Sequence, residues 1–218
     1  RCNLLPMNRI SIESKDETMK VGILTHFHKS INYGGVLQAY ALCKFVNNAG
    51  HDCRQILYIP SVASITNSSL TIKDAFRKIV SRFSKKLHKK KNCRIKARME
   101  RLFVDFRESV PHTDREYTRA DIADTNEIFD AFITGSDQVW NPIWYDPTYF
   151  LDFVKDDIPK ISYASSIGVS ELDDEQKKVF KKHLTSFRAL SVREKSAASA
   201  LTPLVERKLD VSVDPTLL

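Results

Sequence analysis

Residues 20–59 read KVGILTHFHKSINYGGVLQAYALCKFVNNAGHDCRQILYI. KVGILT is a short apolar run of the kind that forms a buried parallel strand. After it come a polar loop, HFHKSINYGG, and VLQAYALCKFVNNAG. In the latter, Val36, Leu37, Tyr40, Ala41, Cys43, Lys44 and Phe45 set a helical stripe that Gly50 ends. HDCRQILYI predicts a second strand. Strand, glycine-bearing loop, helix, strand is a βαβ unit, and that unit makes its two strands parallel.

Working outward, the same alternation continues. EIFDAFITG and KISYASSIG predict strands, DDEQKKVFKKHLTSF an amphipathic helix, RALSVRE a strand, EKSAASAL a helix and LDVSVDPTLL a last strand. Such an order predicts an α/β fold with a doubly wound, mainly parallel, Rossmann-like sheet over residues 19–218. Residues 1–18 are expected to be a flexible leader before Met19. A strand leaving through VDPTLL leads us to expect a second, C-terminal domain after it.

The 218 residues carry a formal charge of +7, with 42% hydrophobic and 28% charged residues. Those proportions exclude a disordered, collagen-like or disulfide-scaffold chain. No run reaches the roughly 18 apolar residues of a membrane span, and the opening residues lack a signal-peptide core, so the cytoplasm is the default compartment. Cys2, Cys43, Cys53 and Cys93 form no CxxC pair and read as reduced, structural thiols. Residues 73–107 hold fourteen Lys/Arg against three acids, so the rest of the chain is net acidic. Apolar residues recur there at helical spacing, which predicts a helical insertion of two amphipathic helices around HKKKNCR, with Phe83, Leu87, Met99 and Phe106 turned inward. Its basic face either is simply solvated or rests on an anionic membrane surface or acidic acceptor, which would place the protein at the inner face of the membrane. Few aromatic residues stand among those charges and no fingerprint accompanies them, so nucleic acid is not expected as a partner.

Ligands of open parallel sheets bind beyond the carboxyl ends of the strands, so the loops there carry the chemistry. In the first, Asn32, Tyr33, Gly34 and Gly35 precede a helix, where bare backbone lets N–H groups approach an anion or simply makes a tight turn. His26 and His28 lack a third ligand and read as packed or solvated rather than metal-binding. In the second, Ser136, Asp137, Gln138, Trp140 and Asn141 set a carboxylate, amides and an indole at one strand end. Such a set suits a sugar, whose hydroxyls need polar partners and whose C–H face favours an aromatic platform, or else it caps a turn. Two loops at the same strand ends should face one cleft.

Together NYGGVLQAYAL, FDAFITGSDQVWNP, YFLDFV, KISYASSIG, LSVREKSA and VDPTLL resemble the polysaccharide pyruvyl transferase family, in the family's order. Gly35 stands where relatives commonly have alanine, and Ser165 and Ile167 depart mildly from SYAASFG. The resemblance implies one half of a GT-B-like architecture, an acceptor half whose donor contacts lie largely in a second domain, so that the chain alone is expected to be inactive. It implies transfer of the enolpyruvyl part of phosphoenolpyruvate to two hydroxyls of one sugar in a glycan or lipid-linked precursor, without a cofactor. On that basis Asp137 is expected to orient or deprotonate the acceptor. Asn32, Tyr33, Gly34, Gly35, Gln38, Ser136, Gln138, Trp140 and Asn141 are expected to line the site, with Arg193 as a cation in the cleft. The alternatives are a GT-B glycosyltransferase using a nucleotide sugar and a non-catalytic glycan-binding fragment. Apolar side chains around residues 213–218 make self-association an expectation as well.

Overall fold

The computed structural model describes residues 17–60 and 93–218. The expected leader thus falls almost wholly outside the described residues, as does the first part of the basic insertion with Phe83 and Leu87.

Among the described residues seven parallel strands form one sheet. They are β1 (Lys20–Leu24), β2 (Asp52–Tyr58), β3 (His112–Tyr117), β4 (Ala131–Thr134), β5 (Lys160–Ser165), β6 (Ala189–Val192) and β7 (Leu209–Val211). Their order is β3-β2-β1-β4-β5-β6-β7, so the winding reverses between β1 and β4. There the chain leaves in opposite directions from neighbouring strands, and a crevice opens beyond their carboxyl ends. The fold is the α/β doubly wound, Rossmann-like one that the sequence predicts.

Strand alternation divides the core between the two faces. Val21 and Ile23 of β1 pack with Leu42 and Cys43 of α1 (Tyr33–Asn48). Leu24, next along β1, joins the larger cluster that holds Phe180 and Leu184 of α3 (Asp174–Leu184) and Ala197 and Leu201 of α4 (Lys195–Leu201). α3 starts with a capping box: Asp173 accepts from the Gln176 N–H at 2.8 Å and the Gln176 side chain accepts from the Asp173 N–H at 3.0 Å. Lys181, Lys182 and His183 sit in its last turn, against the negative end of the dipole.

α2 (Cys93–Ser109) is helical as the basic segment predicts. Phe103 packs on Tyr33 with ring centres 4.2 Å apart, and Phe106 on Tyr40 at 5.2 Å. Met99, by contrast, is 54% exposed instead of turned inward, and Leu102 is 58% exposed. The reason is register. A turn toward the start of α2 from Phe103 corresponds to the stretch before Tyr33, where α1 has not begun, so among the described residues Met99 has no helix to pack on. β3, HTDREY, was not anticipated. It is an edge strand in which only Thr113 and Tyr117 are buried, and it lacks the apolar run by which the other strands announce themselves. Cys43 and Cys53 are free and buried, with the Cys43 thiol donating to Cys53 O at 3.1 Å. Val213, Leu217 and Leu218 are exposed, as expected of residues 213–218. Among the described residues no helix is long and apolar enough to cross a membrane.

Candidate active site

A cleft of about 290 Å³ lies at the carboxyl edge of the sheet, lined by Asn32, Gly34, Gly35, Gln38, Asp137, Arg193, Asp214 and Thr216. Asn32 caps α1 and Gly34, Gly35 and Gln38 lie in its first turns, Asp137 follows β4, Arg193 follows β6, and Asp214 and Thr216 follow β7. The two loops expected to share a cleft therefore do so.

Asn32 caps α1: its side-chain oxygen accepts from the Gly34 N–H at 3.0 Å. With no acidic residue in the first turn, the helix presents the bare backbone of Gly34 and Gly35 to the cleft. A Cβ on Gly35 would stand 3.3 Å from His26 O and 3.4 Å from Asp137 Oδ2, so the helix start and the carboxylate approach closely.

Asp137 has a left-handed backbone, with φ of 78°. The loop that carries it prolongs the sheet's pairing, since Asp137 bridges Ser165 and its carbonyl accepts from the Ser166 N–H at 2.9 Å. Oδ1 accepts from the Gln138 N–H at 2.8 Å. Oδ2 makes no hydrogen bond among the described residues and lies 4.0 Å from His26 Nδ1. His26 meets Tyr149 edge-on at 4.7 Å. Burial lowers the imidazole pKa below its ordinary value, while Asp137 and Asp146 act in the opposite direction. The imidazole beside Asp137 therefore favours its neutral form.

Across the cleft, Arg193 donates from Nε to Glu194 Oε1 at 3.0 Å and from Nη1 to Asp214 Oδ2 at 3.2 Å. Burial works against its charge, but the two carboxylates outweigh it and raise its pKa. Burial likewise pushes the Asp214 carboxyl up. The Thr216 N–H and hydroxyl, at 3.0 and 2.8 Å, together with Arg193, outweigh that and hold it below the usual carboxylate range. Among the described lining residues Arg193 is the one cation, facing two carboxylates.

Five residues expected in the site are used elsewhere. Trp140 is the clearest correction. It is 1% exposed, stacks on Phe150 at 5.3 Å with an interplanar angle of 6°, and donates from Nε1 to Tyr149 O at 3.1 Å, so it offers no platform to a sugar. The Trp140 N–H bonds Ser166 O at 3.2 Å, which continues the sheet-like pairing and turns the indole under the sheet edge. Asn141 Nδ2 donates to Gln138 Oε1 at 3.0 Å, and Asn141 Oδ1 accepts from the Ile143 N–H, so these two amides fold the loop. Tyr33 turns away onto Phe103. Ser136 is fully buried.

Asp214 and Thr216 were not singled out as site residues. Their signal is Asp-Pro-Thr after a strand, the local pattern of a side chain capping the turn that follows. Among the described residues no group of three or more His, Cys, Asp or Glu could hold a metal ion.

A family model described as polysaccharide pyruvyl transferase matches residues 32–218. No curated protein and no solved structure matches this chain.

Proposed function

The chain belongs to the polysaccharide pyruvyl transferase family, and from that premise we propose that its cleft is the acceptor side of pyruvyl transfer from phosphoenolpyruvate to a sugar. The observation that carries this reading is the Asp137 carboxylate, whose Oδ2 is uncommitted and borders the cleft beside the α1 N-terminus.

Protonation at the methylene carbon of the enolpyruvyl group makes its neighbouring carbon oxocarbenium-like. A sugar hydroxyl attacks that carbon and gives up its proton. A second hydroxyl of the same sugar then displaces phosphate, closing a pyruvate ketal. Asp137 accepts or orients the first hydroxyl proton, a role that needs a carboxylate within hydrogen-bond reach. The α1 N-terminus and Arg193 supply positive potential for the anionic reactant. A carboxylate and a phosphate together ask for more cations than this stretch of cleft supplies. That imbalance favours the acceptor over the donor as its occupant.

The acceptor is a glycan or a lipid-linked precursor, which fits a cleft open to solvent. The test is phosphate release from phosphoenolpyruvate that depends on a glycan acceptor, run with the protein that carries the expected donor domain and beside a panel of nucleotide sugars. Glycan-dependent phosphate release with no use of nucleotide sugars is the expected result. Sugar transfer from a nucleotide donor would replace this reading by a glycosyltransferase.

A further inference from the structure

The two sequence stretches that meet at the cleft are joined by a closed ring of buried hydrogen bonds. Thr25, at the end of β1, donates from its hydroxyl to Ser136 O at 2.8 Å. Gln38, in α1, accepts at Oε1 from the Ser136 N–H at 3.0 Å. Gln38 Nε2 closes the ring by donating to Thr25 Oγ1 at 3.0 Å, and it also donates to Gly35 O at 2.8 Å. Thr25, Gln38 and Ser136 are 3%, 2% and 0% exposed. Both backbone polar groups of Ser136 are thus taken by buried side chains from the end of β1 and from α1.

The next residue is Asp137, whose left-handed backbone is uncommon for an L-residue, though aspartate tolerates it better than most. We propose that Thr25 and Gln38 are positioning residues, which fix the Ser136 backbone so that the Asp137 carboxylate faces the α1 end of the cleft. The residue types suit the task. Only a hydroxyl can accept from Gln38 and donate to Ser136 O in that space, and only an amide can accept from the Ser136 N–H while donating twice. The inference deepens the acceptor-site reading and rests on it.

The test compares Thr25→Val, which keeps the shape and loses the hydroxyl, with Thr25→Ser and Asp137→Asn in the full chain. Its first readout is the titration of the His26 imidazole by NMR. The groups facing His26 are Asp137, Asp146 and the edge of Tyr149, and loss of the Asp137 charge lowers its pKa. Thr25→Val should lower the His26 pKa as Asp137→Asn does, Thr25→Ser should keep the native value, and the double variant should go no lower than Asp137→Asn alone. A folded Thr25→Val protein with native His26 titration would overturn the proposal and leave a network that serves folding only. Should Thr25→Val fail to fold, Gln38→Met, which keeps the length, adds no charge to the cleft and loses the amide, carries the same comparison. The second readout is glycan-dependent phosphate release, where kcat should fall by about 10²-fold in Thr25→Val at unchanged KM for phosphoenolpyruvate and recover in Thr25→Ser. If the native protein with its expected donor domain releases no phosphate with any glycan, the functional reading fails while the His26 titration still decides the positioning.

Discussion

The loop after β1 and the loop after β4 both end at the cleft, yet they reach it by different means. The first offers backbone: Asn32 spends its side chain as a cap, Tyr33 turns away onto Phe103, and Gly34 and Gly35 leave the start of α1 bare. The second offers one side chain, Asp137, and commits its neighbours to the interior, with Ser136 clamped, Trp140 in the core and Asn141 folding the turn. A loop that presents bare backbone tolerates small changes in side-chain volume. One that aims a single carboxylate needs every flanking residue to hold it.

The two glycines that open onto this contrast should separate most widely. A Cβ on Gly135 would stand 2.3 Å from Tyr163 O and 2.6 Å from Ser165 Oγ, at a φ of 106°. Gly135→Ala should therefore cost on the order of 4 kcal/mol or more, seen as loss of folded protein or a collapse of the denaturant midpoint. In the first loop, Gly35→Ala meets only contacts of 3.3 Å and longer in a helical turn that favours alanine, so its stability should stay within about 1 kcal/mol of native. Equal losses at both positions would erase the distinction.

The aromatic residues give the next test. Trp140→Ala empties a packed site and should cost about 3–5 kcal/mol in chemical denaturation. Tyr33→Ala removes a half-exposed ring packed at a tilt against Phe103 and should cost about 1 kcal/mol. If Trp140→Ala were near neutral for stability, the platform role excluded by its burial would have to be reconsidered.

The smallest effect concerns pH. The His26 pKa is lowered by burial, as are those of His28 and His183, against the acidic groups that face each of them. The unfolded chain then binds protons that the folded chain does not, so stability rises with pH through the ordinary histidine range and falls on acidification below about 6.5. His26→Gln should flatten part of that slope between pH 7.5 and 5.5 in thermal melts. A slope unchanged by that substitution would mean that His26 titrates alike in both states.

Much of this architecture is legible in the sequence because buried parallel strands are continuous apolar runs. KVGIL, AFIT and ALSV are such runs, and each is a strand. β3 is not legible, since an edge strand such as HTDREY needs little burial and shows no such run. In the site, position relative to a strand end leads to Asn32, Gly34, Gly35, Asp137 and Arg193, which line the cleft, as does Gln38, which only the family resemblance implied. Residue type misleads at Trp140, because an indole suited to a sugar is equally suited to a core. Only the pairing of residues 137–140 with Ser165 and Ser166 decides which way it turns. Asp214 escapes for the opposite reason. Its partners Arg193 and Ser136 are distant in sequence, and local reading sees only a capped turn.

Asp137→Asn tests the central claim most directly. Asparagine keeps the size and accepts the left-handed backbone, so stability should stay within about 0.5 kcal/mol of native. The measurement is glycan-dependent phosphate release from phosphoenolpyruvate alongside a melting curve. The account predicts a native melting curve with a rate lower by about 10²–10⁴-fold. A native rate from the folded Asp137→Asn protein would contradict it and leave Asp137 as a residue that only shapes the loop.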